Sequence, residues 1–486
     1  MHELIILATI NAKNKLYGAT ASDFSAVAPN IQQGLLAQYI RSKGLRVETI
    51  ESDVLNITIQ DLVHILKEKK PRLLGIIATG ANPASSTMAM DGVNAFFAQY
   101  LPNKDNTASF VWGPHPTVLP ERTLRETGAD FVVRHEGWDT IPALFNALQK
   151  KENPHTIPDL SWIDAQGACQ ASPDAPLRDN LDTLPSVDWD LMDPRRYRAH
   201  NWHCFDDLTR RTPYAVIWTS FGCPFQCNFC SINNLFGKRT QRFRGMDHVI
   251  NEISILVERH KVRNIKIMDE LFVANEARMD TFCDRLEPKG YDLNLWAYAR
   301  VDTVTPRILQ RLRKAGLRWI SYGFETASAE LLKNTRKGTV AVNAAKIIES
   351  TREAGIFICA DVVFGLPGET HQSMDNTYAF LVKHNFEYVN MYPVFPYPGT
   401  DLFDKAGPRT WKEYSLYGYD CVPMAGDNLT AAQILRFRDE AFVRYHSRPA
   451  YLAMIEQKFS AHTRAHIEAM TKTPLRRRIL EESPCP

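Results

Sequence analysis

Residues 214–231 read YAVIWTSFGCPFQCNFCS. The first seven are mostly apolar and read as a buried strand. Behind them Cys223, Cys227 and Cys230 stand in C-x3-C-x2-C spacing, on a loop that also holds Gly222 and Pro224. Three readings compete for this cluster. A structural zinc site takes four ligands, usually as two close pairs. No second pair is present, which leaves His248 or Cys204 to complete such a site. A chance grouping of buried thiols fits poorly with three cysteines in eight residues of a Gly-Pro loop. The third reading is a [4Fe–4S] cluster held by three thiolates where four are usual. One iron then keeps an open position, which is what catalysis at a metal needs.

The strand before the cysteines is the first of six. NIKIMDE (264–270), LNLWAYAR (293–300), WISYGFE (319–325), FICADVVFG (357–365) and YVNMYPVF (388–395) follow, with helix-period segments between them. Six strand–helix units make three quarters of an eight-stranded parallel barrel, and such barrels place their chemistry at the C-terminal mouth. A doubly wound open sheet fits the same alternation. Residues 213–396 are assigned to this unit.

Ahead of it, residues 1–150 alternate in the same way. ELIILATI, RVETIES, RLLGIIATG, SFVWG and DFVVRHEG read as strands. Segments such as IQQGLLAQYIRSKG, closed by Gly44, read as helices. The pattern is α/β, a doubly wound, Rossmann-like parallel sheet whose ligands sit beyond the carboxyl ends of the strands. The loops at those ends, TINAKNKLYG, ATGANPASST, GPHPT and RHEGWDT, are rich in small and turn-forming residues that admit close backbone approach. Residues 151–212, rich in Pro and Asp, read as an extended connector. Residues 397–486 read as a mainly helical C-terminal extension.

Composition narrows the classes. The chain has 486 residues, 44% hydrophobic and 23% charged, with a formal net charge of +2. No overall attraction to nucleic acid is expected from that balance. Two basic runs stand out, Lys238–Arg244 behind the cysteines and Arg476–Arg478 near the end. The second reads as solvated surface. The first could meet an anionic cofactor or substrate. No run of about 18 apolar residues indicates a membrane span, and MHELIILATI lacks the basic start of a signal peptide. Nine cysteines with one tight cluster do not make a disulfide framework. A reducing cytoplasm is the expected compartment.

The Cys-x3-Cys-x2-Cys loop after the first barrel strand, with Phe229 before its last cysteine, resembles the radical S-adenosylmethionine (SAM) superfamily. The resemblance implies that the free iron chelates the amino and carboxylate groups of SAM. It also implies that an electron from the cluster cleaves SAM to methionine and a 5′-deoxyadenosyl radical. Other segments carry the likeness further. Asp269 and Glu270 of MDELF resemble the acidic position that meets the SAM amino group. Glu325 and Ser328 of YGFETAS resemble the segment near its ribose and methionine, with Thr326 in place of the usual serine. Arg300, ending the third strand, is a candidate partner for the SAM carboxylate. Gly365 of FGLPGET and Tyr392 of MYPVFPYPGT match the segments after the fifth and sixth strands, the latter flanking the adenine.

The first domain resembles the cobalamin-binding domain that precedes the barrel in one large subclass. The likeness rests on GPHPT (Gly113, Pro114, His115, Pro116, Thr117), GADFVVRHEG with Glu136 and Gly137, and DTIPALFNAL. The subclass usually has Gly-Gly-x-His-x-Thr and Gly-Glu-Gly-Glu at these places. Thr79, Asn82 and Ser85 of ATGANPASST are further candidates for cobalamin contacts. The loop after the first strand has no histidine, which implies base-off cobalamin without a histidine ligand, with His115 nearer the nucleotide tail than the metal. FVRYHSRPAYL resembles the tail of these proteins and reads as a lid over the substrate face.

The implied function is methylation of an unactivated carbon of a small-molecule or lipid substrate, fed by an external electron donor such as flavodoxin or ferredoxin. Ring formation or oxidative rearrangement uses the same cofactors. A non-catalytic cobalamin or iron–sulfur sensor is the alternative of another class. A tRNA methylthiotransferase carries three further cysteines in its first domain, whereas here the first cysteine is Cys169.

Overall fold

The computed structural model describes residues 3–11, 24–80, 84–338 and 344–482. Two sheets organise it, the first parallel over its first five strands and the second parallel throughout. The first takes strands β1 (Ile5–Thr9), β2 (Val47–Glu51), β3 (Leu73–Ile77), β4 (Ala108–Trp112), β5 (Phe131–Val133), β6 (Leu160–Ile163) and β7 (Cys169–Ala171) in the order β2-β1-β3-β4-β5-β6-β7. β1 and β3, IILAT and LLGII, are buried along their whole length, as central strands covered on both faces must be. The order reverses between β1 and β3, so the crevice beyond their carboxyl ends is the expected binding place.

The connector is more structured than its composition implies. β6 pairs antiparallel with β5, and β7 with β6, so residues 160–171 extend the first sheet. Further on, Trp202 is buried among Trp296, Trp319 and Tyr388, with ring centroids 4.4–5.5 Å apart. His203 and Asn294 exchange two hydrogen bonds, and Asn264 donates to the Arg210 carbonyl. These contacts fall at the amino ends of the barrel strands, so the connector closes the barrel floor.

The second sheet holds β8 (Tyr214–Ile217), β11 (Asn264–Ile267), β12 (Asn294–Ala299), β13 (Leu317–Glu325), β14 (Phe357–Phe364) and β15 (Tyr388–Pro393), all parallel and in chain order. Between its first two members, β9 (Ser220–Phe221) and β10 (Arg242–Phe243) pair antiparallel and bracket the cysteine loop. This is the partial barrel that the alternation predicts. Its lumen is polar at mid-height. Ser321 and Asn390 both donate to Asp361, at 2.6 and 2.8 Å, and Lys266 lies over the Trp296 and Tyr298 rings.

The C-terminal helices 431–446, 449–458 and 461–471 follow a capping box at Thr430 and Gln433. The lid expectation does not hold for FVRYHSRPAYL. Tyr445 and Tyr451 donate to the carbonyls of Phe386 and Glu387, just before β15, and Phe459 packs on Trp319 and Phe357. The end of helix 431–446 and the helices after it therefore cover the outer edge and the floor of the barrel, while Ile434 and Phe437 in its first half pack at the carboxyl end of β14. Their apolar faces found a larger surface to bury there. No described helix is long and apolar enough to cross a membrane.

Candidate active site

The cysteine loop starts at Gly222, just past Phe221, where a φ of +86° and a Cβ that would stand 2.4 Å from the Thr240 carbonyl oxygen admit only glycine. Asn233 then pins the loop start: its Oδ1 accepts from the Cys223 amide at 3.2 Å and its Nδ2 donates to the Cys223 carbonyl at 2.9 Å. Asn228 donates through Nδ2 to the Asn334 carbonyl and through its backbone amide to the Thr335 carbonyl. Cys223, Cys227 and Cys230 all line one cavity of about 490 Å³ and none is in a disulfide. A [4Fe–4S] group takes each thiolate on a different iron and leaves the fourth iron open when three are supplied. His248 pairs with Asp182 instead, and Cys204 is buried at the barrel floor.

Burial raises all three thiol pKa values, Cys230 to about 12. A metal that displaces these protons is what makes them ligands. Cations stand close by. The Lys337 ammonium is 2.7 Å from Glu325 Oε1 in a buried pair, and its charge reaches Cys227. Arg300 lies 3.8 Å over the ring of Phe225 in the cysteine loop and donates to Asp302 and to the Lys337 carbonyl. Its buried Nη1 has no hydrogen-bond partner, so a donor remains for a carboxylate ligand.

The two carboxylates of MDELF part company. Asp269 accepts from the Thr219 amide, the Thr219 hydroxyl and the Ser220 hydroxyl at 2.5–2.7 Å, which consumes it as a strut under the loop. Glu270 accepts from the Gly222 amide and faces the mouth, and burial raises its pKa to about 8. Glu325 holds φ +62°, a costly conformation for a side chain with a Cβ. Gly323 makes room for its pair, because a Cβ there would stand 2.6 Å from Glu325 Oε1 and 2.8 Å from Lys337 Nζ. Ser328 caps the helix 329–334. The amides of Gly365 and Leu366 both donate to Glu369 within their own loop.

A second cavity of about 220 Å³ lies between the two domains. Gln32, Thr79, Gly80 and Pro114 face it from the carboxyl edge of the first sheet. Trp218, Met268, Glu270, Tyr298, Asp361 and Tyr392 face it from the barrel mouth. Ile232, one turn beyond Cys230, lines this cavity, the cysteine cavity and a third of about 250 Å³. The third is apolar and is lined by Phe229, Tyr392, Val394, Phe395 and Tyr397. Phe229 and Tyr392 thus share a cavity wall with Cys230.

On the first domain the expected contacts divide. Thr79 faces the interdomain cavity and bonds to Asn30. Gly113 has φ +150°, and a Cβ would come within 2.3 Å of the Ala78 carbonyl oxygen. Thr117 links the Gly113 carbonyl to the His135 amide. His115, however, is buried against Trp411 at 4.5 Å between ring centroids and bonds to Thr87. Burial drives its pKa down to about 3, so it is a neutral core histidine. Pro114 rather than His115 or Pro116 reaches the cavity. Ser85 packs against Gly80, and Asn82 lies outside the described residues. Glu136 is engaged with Arg242 in a buried ion pair, while Gly137, φ +71°, packs on Trp112. Of the basic run, Arg242 and Arg244 are consumed in buried pairs with Glu136 and Glu252, and only Lys238 and Arg239 border the cysteine cavity.

This arrangement is that of a cobalamin-binding radical SAM protein. Residues 219–381 match the model of the radical SAM superfamily and residues 21–145 that of the B12 binding domain. The chain thus carries a radical SAM domain behind a B12-binding domain, and it is an enzyme. It is 29% identical over 468 residues, 94% of this chain and 95% of the relative, to the uncharacterized methyltransferase PH0819 of Pyrococcus horikoshii. It is 25% identical over 350 residues to the anaerobic magnesium-protoporphyrin IX monomethyl ester cyclase of Rubrivivax gelatinosus, covering 68% of this chain and 61% of that one. In fold it is similar to the methyltransferase TsrM of Kitasatospora setae with cobalamin and a [4Fe–4S] cluster bound (TM-score 0.65, 17% identity, 84% of this chain and 75% of that one).

Sequence reading missed Gln32, Asn233, Lys337 and Asp361. Asn233 and Lys337 lie outside any motif. Asp361 sits inside an apolar strand, FICADVVF, where a lone carboxylate was the available signal.

Proposed function

We propose that the protein transfers a methyl group to an unactivated carbon of a small-molecule or lipid substrate held in the interdomain cavity. The observation that carries this reading is Ile232, which divides the three-thiol cavity from a cavity shared by both domains. When bound, a [4Fe–4S] cluster with SAM supplies the 5′-deoxyadenosyl radical, and base-off cobalamin supplies the methyl group. The chain's own contribution is placement and exclusion of water. Cys223, Cys227 and Cys230 hold the cluster. Arg300 Nη1 and the Glu325–Lys337 pair offer charge to the ends of SAM, while Phe229 and Tyr392 offer an apolar wall to its adenine. Thr79, Gly80, Gly113 and Pro114 form the cradle on the cobalamin side. Trp218, Met268 and Tyr298 surround the substrate. An external electron donor such as flavodoxin or ferredoxin fits the exposed Lys238 and Arg239 at the cluster side, in a reducing cytoplasm.

The test is product analysis with the anaerobically reconstituted protein over a panel of apolar small molecules and lipids. Methylated product, S-adenosylhomocysteine and 5′-deoxyadenosine are expected together. Methylated product from a cobalamin-free preparation refutes the reading. Similarity to the monomethyl ester cyclase supports a second reading, radical ring formation with the same cofactors. Product with 5′-deoxyadenosine and no S-adenosylhomocysteine would select it.

A further inference from the structure

A cavity of about 300 Å³ lies on the far side of the barrel from the cysteines, between β15, the helix 431–446 and the segment 470–475. Its walls are aromatic and apolar, with Phe24, Trp202, Tyr388, Tyr417, Phe442 and Met470 among them. It is separate from the interdomain cavity. Asn390 lines it and donates to Asp361, which lines the other, so that one hydrogen bond forms part of the wall between them.

Charge is unbalanced here. Arg438 and Lys472 line the cavity against one carboxylate, Asp439. That carboxylate is already held by Arg477, through Nε at 2.8 Å and Nη2 at 3.1 Å. Arg438 and Arg477 are 1% and 2% exposed. Two buried guanidinium groups therefore share one anion. A buried cation without its own counter-charge is costly, and an anion supplied from outside removes that cost.

The guanidinium of Arg438 is also incompletely bonded. Nε donates to the Met391 carbonyl at 2.6 Å and Nη1 to Asp439 at 2.8 Å. Nη2 has no acceptor among the described residues. The rings of Tyr417 and Phe442, 5.6 and 5.1 Å away, hold the group in place. A planar, pre-oriented guanidinium with one free edge suits carboxylate or phosphate. His200 in the same wall is neutral, its pKa brought down to about 3 by burial, and brings no competing charge.

We propose that this cavity is a second ligand site, for an aromatic or aliphatic molecule carrying one carboxylate or phosphate group that Arg438 receives.

The experiment is calorimetric titration of the reconstituted protein with 2-naphthoate, 2-naphthyl phosphate and neutral 2-naphthamide. The anion of the better-fitting type is expected to bind about tenfold tighter than the amide, the ratio one charge-assisted hydrogen bond supplies. Which of the two anions wins decides between carboxylate and phosphate. Arg438→Met should abolish the preference and leaves Asp439 matched by Arg477. Val443→Trp, at a 43% exposed position in the cavity wall, should block all three compounds without touching the charges. Leu235 lines the interdomain cavity, and Leu235→Trp, which narrows that cavity, should change nothing. Absence of binding, equal affinity for anions and amide, an unchanged preference in Arg438→Met, or loss of binding in Leu235→Trp would each overturn the proposal.

Discussion

Glu136 and Arg242 form a two-point ion pair across the domain boundary, Oε1 to Nη2 at 2.8 Å and Oε2 to Nη1 at 3.0 Å, with both side chains 7% exposed. Glu136 follows β5 of the first sheet, and Arg242 begins the strand that closes the cysteine loop. One contact thus ties the cobalamin-side crevice to the metal-side loop. Arg242 Nη1 also donates to the Arg178 carbonyl, and its guanidinium faces the Phe236 ring.

Breaking this pair from one side should destabilise the protein by about 3–5 kcal/mol, because the remaining charge stays buried. Glu136→Gln and Arg242→Met each lower the denaturant midpoint. The double variant recovers part of the loss. Additive single effects in denaturant titration would show that the two residues are uncoupled.

The two cofactor sites should be separable. Cys227→Ala removes one of the three thiolates proposed to hold the cluster and should reduce bound iron to background after reconstitution. Bound cobalamin should stay near the wild-type level, since no described cysteine faces the interdomain cavity. Iron and cobalt analysis of the same sample checks both halves.

Gly113→Ala should act in the opposite sense. A Cβ at φ +150° and 2.3 Å from the Ala78 carbonyl oxygen forces β3 and β4 apart at their carboxyl ends. Strain of this kind costs on the order of 1–3 kcal/mol. A lower Tm and weaker cobalamin retention are expected, with iron loading kept.

Stability should also fall with pH through a window set by Glu369. Burial raises its pKa from 4.5 to about 7, opposed by the Gly365 and Leu366 amides. The folded state then holds a proton that the unfolded state has released. Stability is fully present below pH 4.5 and is lost as pH rises through about 7, by up to about 3 kcal/mol. Glu369→Gln keeps an acceptor for the amides and should flatten this dependence. An unchanged slope between pH 4.5 and 7 in chemical denaturation would exclude Glu369 as its source.

Much of the molecule is written locally. The alternation of short apolar runs with helix-period segments, and the cysteine spacing, depend on neighbours within a dozen residues. That is why the parallel strands of the two sheets and the three thiols are legible. The connector is not, because Trp202 is an anchor only when Trp296, Trp319 and Tyr388 surround it. His115 misled for the same reason: a histidine between prolines in a crevice loop reads as a contact until Trp411, almost 300 residues away in sequence, covers it.

The sequence by itself determined the class of chemistry, since three thiols on one short loop after a buried strand carry their meaning in their spacing. The tertiary structure alone decided how the charges are used. Whether Asp269 is a strut, Glu136 a clamp, His115 a core residue or Arg438 a cation sharing its anion depends on partners brought close by folding. Coulomb and hydrogen-bond energies fall off over a few ångströms, and no count along the chain reports those distances.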